Sequence, residues 1–294
     1  MPAQLTLGLE RLCADVEAAA ALAGASFSRE VTHNVLKAYQ RFFTRSAVSF
    51  RTSTRRPEKR ELNVRFVELE TPEDPHAVAL SEGLLHRSGH PIDDLIEQVQ
   101  RNVPILGYGM DFGVAYGVEK IWPFFPHRPQ PLEVLRSLPS LPQSVQAHTG
   151  FLVEHDLTDV SLFALDYRSR SVNLYFMCRP GHFSTRQLAE LIGALGFENP
   201  GEELLEHCTR AVPIYFTFRW DRPRVERVCF GIIAPEPALP PTHLHPVIER
   251  FVSGVPFATE RRNFIYSVTL SREETFIKVE NDYSGTMTAL MQVF

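Results

Sequence analysis

One pattern recurs five times along the chain and restricts the fold more than any other feature. A stretch with helical apolar spacing is followed by two segments in which apolar and polar residues alternate. The helical stretches include Val16–Ala23 with Val31–Phe43, His76–Leu85 with Ile92–Val99, Leu132–Leu138 with Ser144–Glu154, Thr185–Leu195 with Glu202–Cys208, and Leu244–Val252. The paired strand-like segments are Ser46–Ser53 and Leu62–Glu70, Ile105–Phe112 and Val118–Phe125, Asp159–Tyr167 and Ser169–Met177, Val212–Trp220 and Val225–Ile233, and Asn263–Leu270 and Thr275–Asp282. A short helix is expected at Met287–Val293. The spacing of roughly 50–58 residues marks a repeat architecture. Ten antiparallel strands with helices between hairpins close most naturally into one barrel, because closure removes the sheet edges. The expected fold is α+β: a ten-stranded antiparallel barrel of five ααββ repeats, ringed by helices, in one domain over residues 1–294.

Alternation then separates the two faces of each strand. Val48, Phe50, Leu62, Val64 and Phe66 share one face of the first hairpin, and Ser49, Arg51, Ser53, Asn63 and Arg65 share the other. Val172, Leu174 and Phe176 oppose Ser169, Ser171, Asn173 and Tyr175. Ile214, Phe216, Phe218 and Trp220 oppose Pro213, Tyr215, Thr217 and Arg219. Val228, Phe230 and Ile232 oppose Arg227, Cys229 and Gly231, and Ile277 and Val279 oppose Lys278, Glu280 and Asp282. The apolar face suits burial under helices, so the polar face lines the lumen. Arg51, Arg65, Arg227, Lys278 and Lys120 cannot form a dry core, because unpaired buried charge is very costly. The lumen is therefore wet, anion-filled, or both. The alternative is an ordinary one-sided sheet with its polar face in bulk solvent. Large aromatics on that face (Tyr175, Tyr215, Trp122 and Phe124) weigh against it.

Composition excludes several classes. The 294 residues carry a formal charge of -5 and a 44% hydrophobic share, as a soluble globular chain would, and no general nucleic-acid binder is indicated. No apolar run is long enough to span a membrane. No basic segment followed by an apolar one opens the chain, so no secretory signal is expected. Cys13, Cys178, Cys208 and Cys229 are widely separated, which suggests reduced thiols in a cytoplasm. The basic stretch Arg55, Arg56, Lys59 and Arg60 reads as a solvated hairpin loop.

Converging cations suit a multiply charged anion such as a diphosphate. No Gly-rich phosphate loop is present, so side chains from separate strands would do the binding. Tyr175, Tyr215 and Asn173 add neutral hydrogen bonds, while Trp122, Tyr215 and Phe124 can cover an electron-deficient allylic group. A diphosphate leaving group, aromatic walls and an apolar slot describe electrophilic alkylation. Glu280, on the Lys278 face, is placed to accept a proton or to balance neighbouring charge. Asp93, Asp94 and Glu97 suggest a magnesium motif, but they follow Pro91 at a helix start, where acidic residues complement the dipole. His86 with His90 and His243 with His245 lack a clear third ligand and read as surface histidines. A barrel that only carries an isoprenoid or aromatic ligand is the alternative to an enzyme, although it has no need of so many cations. A hydrolase of diphosphates would need a metal or a placed base, and an interaction scaffold would have no use for a polar lumen.

These residues resemble the soluble aromatic prenyltransferases of the ααββ-repeat barrel, the ABBA prenyltransferases, and in particular bacterial members of the naphterpin and clorobiocin pathways. The resemblance spans nearly the whole chain. Its most specific stretches are residues 90–95 (HPIDDL), 120–125 (KIWPFF) and 165–176 (LDYRSRSVNLYF), Tyr215 with Trp220, and residues 227–230 (RVCF). It implies prenyl transfer in secondary metabolism, with an isoprenyl diphosphate donor and an aromatic small-molecule acceptor. Dimethylallyl diphosphate is the first choice of donor and geranyl diphosphate the second. A monomer without nucleic-acid or membrane partners is expected.

Carried onto this chain, the resemblance makes Lys120, Asn173, Tyr175, Tyr215, Arg227 and Lys278 the diphosphate ligands, joined by Arg51 and Arg65. Glu280, Lys120 and Tyr175 are the expected catalytic residues. The acceptor half should contain Gly109, Asp111, Trp122, Phe124, Ser161, Phe163, Thr217, Cys229, Gly231, Ile265, Ser267 and Glu280. A flat phenol, naphthol, hydroxybenzoate-like or phenazine-like ring suits that pocket. The chain departs from the magnesium-dependent branch, which has an Asp where Asn63 stands, beside Arg51 and Arg65. Ser169 likewise replaces a Lys of some relatives. Fixed positive charge can neutralise a leaving diphosphate, so no metal or other cofactor is expected.

Overall fold

The computed structural model describes residues 8–43, 45–69, 73–125, 127–234 and 240–290. The first two hairpins are β1 (Ala47–Ser53) with β2 (Asn63–Glu68) and β3 (Gly107–Gly113) with β4 (Gly117–Phe124). Two short strands, β5 (Gln130–Pro131) and β6 (Asp159–Val160), pair separately. Then come β7 (Leu162–Asp166) with β8 (Ser171–Met177), β9 (Pro213–Arg219) with β10 (Arg227–Ala234), and β11 (Phe264–Ser271) with β12 (Thr275–Asn281). The closed order is β1-β12-β11-β10-β9-β8-β7-β4-β3-β2, with antiparallel neighbours throughout. The first and last hairpins seal it, with Arg51 opposite Glu280 and Ser53 opposite Lys278. This arrangement puts every hairpin turn at one end of the barrel. The helix-bearing connections leave from the other end.

The outward faces follow the alternation. Val48, Phe50, Val64 and Phe66 pack with the helix Leu9–Ala23, which contributes Leu12, Val16 and Ala20. Val172, Leu174, Phe176, Phe216, Phe218 and Phe230 pack under the helices Pro91–Asn102, Gln143–Glu154 and Thr185–Ala194. The first of these helices buries Ile92, Leu95, Ile96 and Val99, the i, i+3, i+4, i+7 stripe of a helix lying on a sheet. Each such side chain contributes about 1.5–3 kcal/mol by leaving water. The helix Thr185–Ala194 opens with a capping box between Ser184 and Gln187. Among the described residues, no helix is long and apolar enough to cross a membrane.

Two segments differ from the alternating pattern. The expected strand Asp159–Tyr167 breaks at Ser161, whose N–H donates to the Tyr175 carbonyl at 2.9 Å beside the pair Leu162–Tyr175. The break turns Leu162 and Ala164 inward and Phe163 outward. In β4 the register steps from Asp111–Lys120 to Phe112–Val118, leaving Glu119 as an extra residue in a bulge. The closing helix is described over Met287–Leu290, and the remainder of the expected Met287–Val293 lies outside the described residues.

Candidate active site

The lumen is divided along its axis. Toward the hairpin turns lies a polar cavity of about 70 Å³, whose walls include Arg51, Asn63, Lys120, Asn173, Tyr215, Arg227 and Lys278. Toward the helical end lies a mainly apolar cavity of about 90 Å³, whose walls include Val67, Trp122, Phe124, Leu162, Tyr175, Pro213, Ile265 and Met287. Arg51, Tyr215 and Lys278 line both, so they stand at the boundary.

The expected diphosphate ligands come together, and the structure shows how each is held. Lys120 Nζ lies 3.0 Å from Glu119 Oε1 and 3.2 Å from Asp166 Oδ2. The bulge explains how Glu119 and Lys120, consecutive in sequence, both reach the lumen side. Burial alone would lower the Lys120 ammonium, but the two carboxylates override it and hold it above the ordinary lysine value. Arg51 donates to Asp111 Oδ2 at 2.9 Å and to Asn63 Oδ1 at 3.3 Å. Arg65 donates to Asp111 Oδ1 at 3.0 Å and to Glu280 Oε2 at 2.9 Å. Asp111 is fully buried; burial raises its carboxyl, and Arg65 and Arg51 outweigh that and hold it below the usual range. Glu280 also accepts from Ser49 Oγ at 2.6 Å.

Charge is therefore closer to balance than a count of cations suggests. Arg51, Arg65 and Lys120 each have carboxylate partners. Among the described residues, Lys278 and Arg227 are the lumen cations without one. Lys278 Nζ donates to Tyr215 Oη at 2.5 Å and lies 3.9 Å from Cys229 Sγ. Burial, with Arg51, Arg227 and Lys120 nearby, brings its pKa down to about 7 despite the thiol, which favours its charge. Burial pushes the Cys229 thiol up, while Lys278 and the hydroxyls of Ser267, Thr269 and Tyr215 override it and leave it below its usual value. Tyr175 and Tyr215 face each other across β8 and β9, with ring centroids 4.3 Å apart. Burial pushes the Tyr175 phenol up to about 12, so it stays a neutral donor.

Three buried polar atoms near the hairpin end have no partner among the described residues: Asn173 Oδ1, Thr217 Oγ1 and Arg227 Nε. They occupy neighbouring register positions, Asn173 opposite Thr217 and Thr217 opposite Arg227. An unmet buried polar group costs about 1–3 kcal/mol, so three side by side mark a place built for a polar ligand.

The apolar cavity is shaped by close approaches. A Cβ on Gly109 would lie 2.6 Å from Trp122 Cε3 and 2.8 Å from Phe124 Cζ, so only glycine lets those rings lie flat there. A Cβ on Gly231 would lie 2.6 Å from Pro213 Cγ. The Arg65 guanidinium stands 4.1 Å from the Trp122 ring centroid. Among the described residues, the indole N–H of Trp122 is buried without a partner.

Most of the expected acceptor set lies here: Trp122, Phe124, Gly231, Ile265, Ser267 and Glu280 line the cavity, and Gly109 backs its rings. Five positions differ. Phe163 belongs to the outer core, turned there by the break at Ser161, and Ser161 itself sits in that bend rather than on the cavity wall. Thr217 faces the hairpin-end mouth. Cys229 lies beside Lys278 at the boundary, and Asp111 is covered by Arg51 and Arg65. Glu119, Asp166 and Phe276 are additional lumen residues that sequence reasoning missed. The parity of Lys278 and Glu280 already pointed to Phe276; the bulge and the break hid the other two. Arg55, read as part of a solvated loop, instead pairs with Glu274 and lines the mouth. The two other motifs resolve locally. Asp93 accepts from Ser88 at the helix start, and His90 and His245 cap Ile92 and Val247.

Solved structures share this fold. One is the crystal structure of 6-dimethylallyltryptophan synthase from Micromonospora olivasterospora in complex with DMASPP and Trp, with a TM-score of 0.58 at 13% identity over 95% of this chain and 98% of that one. At the sequence level the chain is 33% identical to a flaviolin linalyltransferase of Streptomyces virginiae, over 95% of this chain and 93% of the relative. It is 34% identical to a 5,10-dihydrophenazine-1-carboxylate 9-dimethylallyltransferase of Streptomyces anulatus, over 92% of each. A furaquinocin biosynthesis prenyltransferase of Streptomyces sp. (strain KO-3988) is 30% identical over 91% of this chain and 88% of its own length. The family model for the aromatic prenyltransferase Orf2 matches residues 7–294, and the chain belongs to that family of aromatic prenyltransferases.

Proposed function

We propose that this prenyltransferase moves a dimethylallyl group, with geranyl as the next donor, from its diphosphate to a flat phenol, naphthol, hydroxybenzoate or phenazine ring, without a divalent metal. The observation that carries this reading is Lys278 at the junction of a polar and an apolar cavity, its ammonium on the Tyr215 hydroxyl. A donor laid across that junction has its diphosphate among Lys278, Arg227, Lys120 and Asn173, and its allylic carbon beside the Tyr175–Tyr215 pair. The relatives' names point the same way for acceptor class: flaviolin for one, a phenazine carboxylate for another.

The allylic C–O bond breaks with its electron pair going to the diphosphate. The charge left on that oxygen is met by Lys278 and Arg227, the lumen cations free of carboxylates, and by hydroxyls of Tyr175 and Tyr215. The aromatic acceptor then attacks the allylic carbon, and the ring proton passes to an oxygen of the released diphosphate. Glu280 faces the apolar cavity, where it already accepts from Ser49 and Arg65 and anchors the Arg65 guanidinium.

The residues around Asn63 do not suit a magnesium ion. Its amide oxygen accepts from Arg51 and its amide nitrogen donates to Glu119, so both polar atoms of its side chain are already engaged. Asp111, Glu119 and Asp166 are likewise held by cations. The test is turnover with dimethylallyl diphosphate and a panel of phenols and phenazines in excess EDTA, read as a mass gain of one isoprenyl unit. Full activity is expected. Loss in EDTA with recovery on adding magnesium would remove the metal-independent part. No product with any acceptor, metal present, would remove the donor and acceptor assignment.

A further inference from the structure

A third cavity, about 310 Å³ and larger than either lumen compartment, opens at the hairpin end. It adjoins the polar compartment through Arg55, Arg227 and Phe276, which line both. Its wall carries six arginines: Arg55, Arg219, Arg222, Arg224, Arg227 and Arg272. Arg55 is paired with Glu274, Arg219 with Asp221 and Arg222 with Glu226, while Arg272 donates to the Leu195 and Gly196 carbonyls. Among the described residues, Arg224 and Arg227 have neither a carboxylate nor a carbonyl partner. Thr217, 1% exposed, also lines this cavity, and its hydroxyl has no partner. Ser169 and Ser171, hydrogen-bonded to each other at 2.7 Å, add hydroxyls on the same wall.

We propose that this mouth is a second anion site that takes a diphosphate, adjoining the lumen clamp and sharing Arg227 with it. The inference rests on the prenyl-transfer reading. Two unpaired guanidinium groups and an unmet buried hydroxyl around one cavity need a multiply charged oxyanion, and the arginine fork matches phosphate oxygens. Lumen charge is nearly balanced by Asp111, Glu119, Asp166 and Glu280, and the cations without a carboxylate partner among the described residues run outward from Lys278 through Arg227 to Arg224. A diphosphate released at Lys278 therefore moves toward Arg227, which borders both cavities, and then to Arg224. Phe276, under the Arg55 guanidinium at 5.0 Å, forms the partition.

The same chemistry is offered by free inorganic diphosphate and by the head group of an arriving donor, and titration calorimetry separates them. The whole chain is first saturated with dimethylallyl thiolodiphosphate, a donor that does not ionise readily, and then titrated with inorganic diphosphate. One equivalent of the analogue followed by one equivalent of inorganic diphosphate is expected, which assigns the mouth to the free product. Arg224→Ala should weaken the second binding by about tenfold, from lost charge-assisted hydrogen bonds, and leave the first within about twofold. Two equivalents of analogue would keep the site and assign it to the arriving donor. One equivalent of analogue and no further binding would overturn the mouth site with the prenyl-transfer reading intact. No analogue binding at all would count against that reading instead.

Discussion

The two ends of the lumen are built on opposite principles. The hairpin end holds charges in place by pairing: Arg51 and Arg65 share Asp111, and Lys120 sits between Glu119 and Asp166. The helical end holds space open by omission: Gly109 and Gly231 lack the side chains that would fill it. The comparison teaches that one barrel can bring a charged compartment and an open apolar one together in a single lumen. In the proposed reading one end fixes the leaving group and the other shapes the acceptor, and Lys278 and Tyr215 line both cavities. Paired charges cost less to bury than free ones, so the cations left unpaired, Lys278 and Arg227, are where stability has been given up for binding.

The largest effect should come from removing that unpaired charge. Lys278→Ala leaves the diphosphate with one fewer cation at the breaking bond and orphans the Tyr215 hydroxyl. Donor kcat/KM should fall by about 10²–10³-fold, the scale of losing one preorganised donor to a developing anion. Acceptor affinity, measured separately by quenching of intrinsic tryptophan fluorescence in a Trp220→Phe background, should change little. An equal loss at both ends would break the division of labour.

How much of this was legible without coordinates follows from the same contrast. Ten strands and their inward faces could be read because helices cover the barrel outside, which keeps one face uniformly apolar. Arg51, Arg65, Asn173, Tyr215, Arg227 and Lys278 all face inward by simple parity. The failures occur where parity itself breaks. The bend at Ser161 moved Phe163 to the outer core and brought Leu162 into the cavity, and no residue type in that stretch announces it. The bulge at Glu119 delivered a carboxylate next to Lys120. The pairing of Arg51 with Asp111, sixty residues on, depends on β2 lying between β1 and β3, which is topology rather than pattern. Charge could be counted in the sequence, but not its neutralisation.

An intermediate effect is expected at the other end. Gly109→Ala places a methyl within 2.6 Å of the Trp122 ring, so the aromatic wall must shift into the cavity. Overpacking of this kind costs about 1–3 kcal/mol. Acceptor KM should rise about tenfold, with larger acceptors losing most, while binding of the thiolodiphosphate analogue stays within twofold. Analogue binding lost in parallel would mean that the compartments are mechanically one.

The smallest effect, and the most specific to the boundary, is on pH. The Lys278 ammonium is disfavoured in the empty lumen, with its pKa brought down to about 7 by burial and by Arg51, Arg227 and Lys120. A bound diphosphate favours the charged form, so binding above pH 7 must take up a proton. The sign follows: this lysine's contribution to affinity is full below pH 7 and declines progressively above it, until pH passes the higher pKa of the bound form. Between pH 7 and pH 8 the protonated fraction of such a group falls about fivefold. Calorimetry of the analogue in buffers of different ionisation enthalpy should therefore show net proton uptake at pH 7.5. The diphosphate's own ionisation works in the opposite direction and is common to every variant, so Lys278→Arg, which keeps the charge and does not titrate in this range, is the reference. The uptake should vanish in that variant. If it persists unchanged, the titrating group is not Lys278, and the boundary between the paired and the open end carries a fixed charge like the rest of the wall.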